Sequence, residues 1–256
     1  MPEGTSLAGV RVLLTRAPDR ARAWTAALES RGAIAEPREV FVLEAVASDE
    51  VGGAVERIAS YAWILLTSAN GLRFLHEALT AAGKDLAGQP ARFGVVGPQT
   101  RTALEALGAR PQVVAAKTDA GGLADAVIPL VDAGQRVLVV RPEVSRPELV
   151  ERLRADGVAV DAVAFYRNRA AEGVAVVARE WRYGAFDAAV FSSPSSFSHL
   201  CEALAGEAGA ASPTPLIAIG DTTAAAIRAS GHEVAAVARR PTPEGIADAV
   251  ETALSR

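Results

Sequence analysis

The chain has 256 residues, half of them hydrophobic, 22% charged and 5% aromatic, with a formal net charge of −4. That length suits one large α/β unit or two ordinary domains with sizeable cores, and the acidic balance gives no general attraction for nucleic acid. The single cysteine, Cys201, excludes an internal disulfide and a paired-cysteine metal site, and points to a reducing, cytoplasmic setting.

The opening MPEGTSLAGVRVLLTR has no basic segment ahead of a long apolar one, so no signal peptide is expected. No apolar run along the chain is long enough to span a bilayer. Val10–Thr15 is the first short apolar run, followed by a helical pattern over Asp19–Ser30 that stops before Gly32. Val40-Phe-Val-Leu43 is a short extended segment. Trp63–Thr67 then leads into a helix over Gly71–Ala82, and Phe93–Val96 into a helix over Gln99–Leu107 that ends at Gly108. Val137–Val140 precedes a helix over Arg146–Asp156 and Gly157, after which Ala162-Val-Ala-Phe-Tyr166 is a second extended segment. Ala188–Phe191 with Phe197–Ala205, and Leu216–Ile219 with Thr222–Ser230 ahead of Gly231, complete the series. Short, continuous, β-branched runs are the pattern of strands buried on both faces. A glycine just past each periodic stretch fits a helix C′ position. Alternating strand and helix units predict parallel sheets covered by helices on both sides.

The chain also repeats itself. Phe93-Gly-Val-Val-Gly-Pro-Gln-Thr100 matches Leu216-Ile-Ala-Ile-Gly-Asp-Thr-Thr223 at an offset of 123 residues, and the match carries on through Gly108 with Gly231, Gly122 with Gly245, and Ala124-Asp-Ala-Val127 with Ala247-Asp-Ala-Val250. At an offset of 125, Val12-Leu-Leu-Thr-Arg16 pairs with Val137-Leu-Val-Val-Arg141 and Gly32 with Gly157. Leu66-Thr-Ser68 likewise corresponds to Phe191-Ser-Ser193. A repeat this long is a duplicated block of several elements rather than a solenoid. Two such blocks facing each other would set equivalent loops around a shared cleft, since ligands of these sheets bind beyond the carboxyl ends of the strands. The two extended segments read as the strands of a linker.

Several residues at those strand ends carry candidate chemistry. Gly97-Pro-Gln-Thr100 and Gly220-Asp-Thr-Thr223 each follow a strand and open a helix. Such turns offer free N–H groups and a positive dipole end to an anion, with Thr222 and Thr223 adding hydroxyls; the alternative is a plain turn with a Thr cap. Neither GxxxxGK[ST] nor GxGxxG is present. Thr67-Ser68 and Ser192-Ser-Pro-Ser195-Ser196 are either anion-holding or simple N-capping turns, and no GxSxG elbow supports a serine nucleophile. Arg16, Arg141 and Arg146 follow strands and can clamp carboxylates, or else are surface charges. His76, His199 and His232 are too dispersed for a metal site. Cys201 reads as a small buried residue. Tyr166, one of three tyrosines, lies in the second extended segment, where its phenol can donate a proton or hydrogen bond at neutral pH.

In order along the chain, Thr67-Ser68, Val96-Gly-Pro-Gln-Thr100, the Arg141-to-Arg146 strand end, Tyr166, Phe191-Ser-Ser-Pro-Ser195, Ile219-Gly-Asp-Thr-Thr223 and Pro241-Thr-Pro-Glu-Gly245 resemble the uroporphyrinogen-III synthase family. Single motifs are weak, but the ordered set covers nearly the whole chain. Asp221 stands where a proline is common, Ala69 replaces a proline of some members, and Pro215 a lysine. The resemblance implies two flavodoxin-like parallel-sheet α/β domains joined by a two-stranded linker. One domain is then discontinuous, residues 1–38 with 168–256; the other is 44–162, and 39–43 and 163–167 are the linker.

It further implies a cofactor-free and metal-free lyase of haem biosynthesis that cyclises hydroxymethylbilane. The bilane loses its terminal hydroxyl as water, ring D attacks through its substituted end to give a spiro-pyrrolenine, and fragmentation with re-closure leaves ring D inverted. On this reading Tyr166 assists hydroxide departure. Thr67, Ser68, Gly97, Ser193, Ser195, Gly220, Thr222 and Thr223 hold the substrate carboxylates, with Arg16, Arg141 and Arg146 adding charge, and the domains close about the linker. The protein would act as a monomer away from membrane and nucleic acid, with transient contact to the preceding pathway enzyme left open. Two rivals are a non-catalytic two-domain binder of an anionic small molecule and a nucleotide-sugar transferase, which would require a nucleotide loop.

Overall fold

The central parallel strands of the chain are buried on both faces because each continuous apolar run has helices above and below it. They belong to a computed structural model that describes residues 6–115, 120–205 and 213–255; residues 1–5 of the opening segment fall outside it. In chain order, β1 (Arg11–Leu14), α1 (Pro18–Glu29), β2 (Ile34–Pro37) and β3 (Phe41–Ala45) lead to α2 (Asp49–Glu56). Then come β4 (Trp63–Leu66), α3 (Ala69–Ala81), β5 (Arg92–Val96), α4 (Gly97–Ala106), β6 (Pro111–Ala115) and α5 (Ala120–Val127). β7 (Arg136–Pro142), α6 (Glu148–Ala155), β8 (Ala159–Ala170) and α7 (Val174–Arg182) follow. The last elements are β9 (Ala188–Phe191), α8 (Pro194–Ala203), β10 (Leu216–Ala218), α9 (Asp221–Ala229), β11 (Ala236–Val237) and α10 (Pro243–Leu254).

The chain divides into two compact units, residues 1–42 with 169–256, and residues 43–168. The first holds a sheet of order β11-β10-β9-β1-β2, parallel throughout. The second holds the order β3-β8-β7-β4-β5-β6, with β8 to β6 parallel. Both extended segments of the sequence are strands, β3 and part of β8, and they are neighbours.

The repeat explains the two sheets element for element. Its pairings set β1 against β7, β9 against β4 and β10 against β5, so β2-β1-β9-β10-β11 and β8-β7-β4-β5-β6 are the same spatial order. Counted along the chain the first reads 2-1-3-4-5, the flavodoxin-like order, and the second, leaving out β3, reads 5-4-1-2-3. The two units share an arrangement but are connected differently, because each half of the sequence supplies strands to both.

Packing repeats as well. On β1, Val12 and Leu14 meet α1 and α10 through Trp24, Leu28, Ile246 and Val250, while Leu13 faces Trp181, Phe197 and Ile227 of α7, α8 and α9. On β4, Trp63 and Leu65 meet Leu123 and Leu149 of α5 and α6, while Ile64 and Leu66 face Val55, Leu72 and Leu104 of α2, α3 and α4. Each fully buried side chain of this size contributes about 1.5–3 kcal/mol.

β2, β6 and β11 are absent from the sequence reading. They are short edge strands carrying Pro37, Pro111 or only two residues, so they bury no continuous apolar run. α8 starts at Pro194, ahead of the apolar periodicity at Phe197, because proline suits the first helical turn.

At the amino ends of β4 and β7, away from the helix-opening turns, Tyr61 donates to Asp161 Oδ2 at 2.6 Å, with Arg136 Nη1 at 3.3 Å and Arg57 Nη2 at 3.8 Å. Burial, with Asp161 beside it, pushes the Tyr61 phenol up to about 12. Burial opposes ionisation of Asp161, but the hydrogen bonds from Tyr61 and Arg136 and the nearby arginine charges outweigh it and hold the carboxyl below its ordinary value. The Asp161 contribution to stability is therefore present above the ordinary carboxylate range and lost as pH falls through the lowered value. That of Tyr61 is present below pH 10.0 and lost as pH rises towards about 12. Asp161→Asn is expected to flatten the acid limb of a pH–stability profile read by urea unfolding, and Tyr61→Phe the alkaline limb. Unchanged limbs would remove the network from the account.

Candidate active site

In each unit the strand order reverses at one point, between β1 and β9 in the first and between β7 and β4 in the second. Ligands of open α/β sheets bind beyond the carboxyl ends of the strands at such points. Thr15, Arg16, Ser192 and Ser193 stand at the first reversal, and Thr67, Ser68 and Arg141 at the second. Gly220 and Gly97 follow one strand further along, after β10 and β5.

The serine turns are closed by their own side chains. Ser68 caps α3, its Oγ accepting from Gly71 N at 3.1 Å. Ser193 caps α8 in a capping box: its Oγ accepts from Ser196 N at 3.1 Å, and its own N–H donates to Ser196 Oγ at 3.2 Å. Ser192 N donates to Thr15 Oγ1 at 3.2 Å and Ser192 Oγ to Thr15 O at 2.7 Å, which ties β9 to β1. Of the two readings the sequence left open for this serine turn, the geometry shows capping, with the Ser192 and Ser193 amides engaged within the protein. Ser195 sits in the first turn of α8, and Thr67 lies between β4 and the Ser68 cap.

The glycine turns differ. Neither α4 nor α9 has a side-chain cap, so no side chain of the turn closes off the first-turn N–H groups. α1, opening after Arg16, and α6, opening after Arg146, are likewise uncapped. Capped α3 matches capped α8, and uncapped α4 and α6 match uncapped α9 and α1, so the repeat preserves where helix amides are left for an anion. Of the two threonines after Gly220, Thr222 is exposed while Thr223 is buried at 2%, as is its counterpart Thr100 at 3%.

The glycines themselves are not equivalent. Gly97 has φ +77°, whereas Gly220 is extended at φ −179°, and a Cβ at either meets nothing within 4 Å. Gly97→Ala is expected to destabilise the protein by about 1–2 kcal/mol through left-handed strain, and Gly220→Ala by no more than about 0.5 kcal/mol. Urea unfolding of the two variants checks the difference; equal losses would contradict it.

The arginines also separate. Arg16 lies over the Trp24 ring at 4.4 Å, and its Nε is buried without a hydrogen-bond partner. Burial lowers its pKa, Arg20 adds to the lowering and Asp19 opposes it. Such a desolvated guanidinium, steadied by a ring, is prepared for an anion. Arg141 instead turns back on its own loop, Nη1 donating to Glu143 O at 2.9 Å and Pro142 O at 3.1 Å. Arg146 is exposed.

Tyr166 owes its place to a β-bulge. The register against β7 passes from Arg141 opposite Ala164 to Pro142 opposite Tyr166, skipping Phe165. Consecutive strand residues normally face opposite ways, yet Phe165 and Tyr166 join the same core cluster, as a bulge allows. Glu143 N donates to Tyr166 O at 2.8 Å, pinning the bulged strand to the Arg141 loop. The Tyr166 ring, 6% exposed, stacks on Phe74 of α3 at 5.1 Å with 8° between planes. Its hydroxyl lies 3.1 Å from Ser68 Oγ, a distance at which either oxygen can donate. Sequence reading passed over Trp24 and Phe74 because both sit at core-facing positions of amphipathic helices, each soon after a candidate turn.

The histidines do not converge. His199 stacks on Phe41 at 5.8 Å, and His232 meets the edge of Phe197 at 5.1 Å. Burial, aided by Glu202, pushes the half-buried Cys201 thiol up to about 11, which keeps it protonated at neutral pH. Among the described residues, no group of three or more His, Cys, Asp or Glu is placed to hold a metal ion, and no helix is long and apolar enough to cross a membrane.

The fold and the site together define a protein of two doubly wound α/β units whose uncapped helix starts and adjacent arginine suit anions. A family model described as uroporphyrinogen-III synthase HemD matches residues 6–248. The chain belongs to the uroporphyrinogen-III synthase family. It is 30% identical over 168 residues to the porphyrin biosynthesis protein HemD of Ruminiclostridium josui, a match covering 63% of this chain and 32% of that protein, so it spans about a third of that relative. It is 27% identical over 211 residues to the uroporphyrinogen-III synthase of Synechococcus elongatus, covering 79% of this chain and 78% of that one. A crystal structure of mutant uroporphyrinogen III synthase from the extremely thermophilic bacterium Thermus thermophilus shares the fold, with a TM-score of 0.69 and 24% identity over 96% of this chain and 99% of that one.

Proposed function

We propose that the protein is the uroporphyrinogen-III synthase of haem biosynthesis, a cyclising hydro-lyase acting on hydroxymethylbilane. The observation that carries this reading is the family match over residues 6–248. The substrate is a flexible chain of four pyrroles bearing acetate and propionate carboxylates, and the task is to bring its ends together in one orientation. Positioning of this kind is worth up to about 7–11 kcal/mol of a barrier.

The pyrrole nitrogen of ring A supplies the electron pair that expels the hydroxyl, which leaves with the C–O bond pair and is protonated to water. Tyr166 eases that departure with a hydrogen bond from its phenol. The substituted carbon of ring D attacks the resulting azafulvenium carbon. The spiro intermediate fragments and re-closes at the other α-carbon of ring D, and loss of a ring proton restores aromaticity, so the sum is loss of one water.

Carboxylates are held in one unit by the first-turn amides after Gly97, and in the other by those after Gly220, with the Thr222 hydroxyl and the Arg16 guanidinium contributed by the same unit as Gly220. The uncapped state of those turns and the buried Nε of Arg16 support this assignment. Ser68, Ser193, Ser195, Thr67, Thr223, Arg141 and Arg146 shape the same edges. Residues 1–38 with 168–256 and residues 44–162 are taken as the two domains, joined by the strands 39–43 and 163–167. The enzyme works as a cytoplasmic monomer.

The test is the product. Uncatalysed closure of hydroxymethylbilane gives isomer I. Incubation with freshly generated bilane, oxidation, and separation of the porphyrins is expected to give isomer III. Isomer I alone, at the uncatalysed rate, would leave the protein as a binder of anionic small molecules.

A further inference from the structure

The hydroxyl beside Tyr166 belongs to a small device that the rest of the fold contains only in part. A serine hydroxyl has one proton to give and two lone pairs to receive. Ser68 Oγ already receives the Gly71 N–H at 3.1 Å as the cap of α3, and the Tyr166 oxygen lies 3.1 Å away. The phenol ring is fixed by the Phe74 stack and by the bulge of β8. The 125-residue offset finds the same aromatic arrangement in the other unit, where Phe41 and His199 stack at 5.8 Å at the positions of Tyr166 and Phe74, and Ser193 stands at the position of Ser68. There the phenol is missing, and the cap is closed by the Ser196 side chain at the position held here by Gly71. Of these two matched caps, only Ser68 faces a phenol rather than a serine partner.

We propose that Ser68 is a positioning residue acting through Tyr166: its O–H donates to the phenol oxygen, so that the single phenol proton is left to point outward at the departing hydroxyl. This rests on the role given to Tyr166 above. With the opposite polarity the phenol would direct its only proton at Ser68 and have none for the substrate. Donation from Ser68 also polarises the phenol and strengthens its own hydrogen bond.

Steady-state formation of isomer III from hydroxymethylbilane tests this in Ser68→Ala, Ser68→Gly, Ser68→Thr, Tyr166→Phe and the Ser68→Gly, Tyr166→Phe double variant. Glycine is included because it caps helices nearly as well as serine, so this variant keeps α3 intact. Ser68→Ala and Ser68→Gly are expected to lower kcat about tenfold, the worth of one ordinary hydrogen bond, with KM changed less than about twofold. Ser68→Thr restores kcat. On top of Tyr166→Phe, Ser68→Gly changes kcat by less than about twofold, because the group it acts through is gone. A full tenfold loss in that background, or a raised KM with kcat intact, overturns the positioning role while leaving the Tyr166 reading in place. Wild-type turnover by Tyr166→Phe would overturn that reading instead.

Discussion

Tyr166→Phe is expected to slow isomer III formation by about 10²–10⁴-fold, the usual worth of a positioned proton or hydrogen-bond donor, and to leave binding of the polycarboxylate nearly unchanged. The substitution removes one oxygen and keeps the ring, so the stack on Phe74 and the core around β8 survive. The remaining rate is expected to come from orientation of the chain ends by the turns proposed to hold the carboxylates. Kinetics on freshly generated bilane, corrected for spontaneous closure to isomer I, give the number. A variant with wild-type kcat would show that the hydroxyl leaves without help from this phenol.

The second large effect concerns stability and couples the core to the site. Phe74 is 4% exposed, belongs to the cluster that includes Leu66, Leu104 and Phe165, and carries the Tyr166 ring. Phe74→Ala is expected to destabilise the protein by about 3–5 kcal/mol, from lost transfer energy and the cavity left behind. It should also slow turnover more than the loss of stability explains, since the phenol then has no face to rest on. Phe74→Leu refills most of the volume and is expected to lose only about 1 kcal/mol, yet it still lowers kcat because a flat support has gone. Urea unfolding and kinetics measured on the same preparations separate the two effects. An unchanged unfolding midpoint for Phe74→Ala would contradict the packing account, and full activity of Phe74→Leu the support of Tyr166.

The architecture was legible because both faces of each sheet are covered. Runs such as Trp63–Leu66 and Ala188–Phe191 then have to be continuously apolar, and parallel strands need helices between them. The repeat pointed to duplicated blocks, and its offsets identify which strands occupy equivalent places. The edge strands β2, β6 and β11 left no such trace. Among the candidate residues, sequence could place Gly97 and Gly220 in equivalent turns but not show that one is left-handed and the other extended. It could offer the Ser193 turn either as anion-holding or as a cap but not decide between them, because the pattern Ser-Pro-Ser-Ser is consistent with both; Ser196 takes the Ser193 amide. The bulge that turns Tyr166 towards Ser68 depends on the pairing with β7, a contact between residues that no local pattern encodes.

The uncapped helix starts are proposed to grip the substrate carboxylates. Amide resonances followed while uroporphyrinogen III is titrated, anaerobically, into labelled protein test this most directly. The N–H groups of Gly97, Gln99 and Thr100 and those of residues 221–223 are expected to shift and saturate, while those of Ser192 and Ser193, held by Thr15 and Ser196, move little. Saturable binding with the two glycine turns unmoved would contradict it.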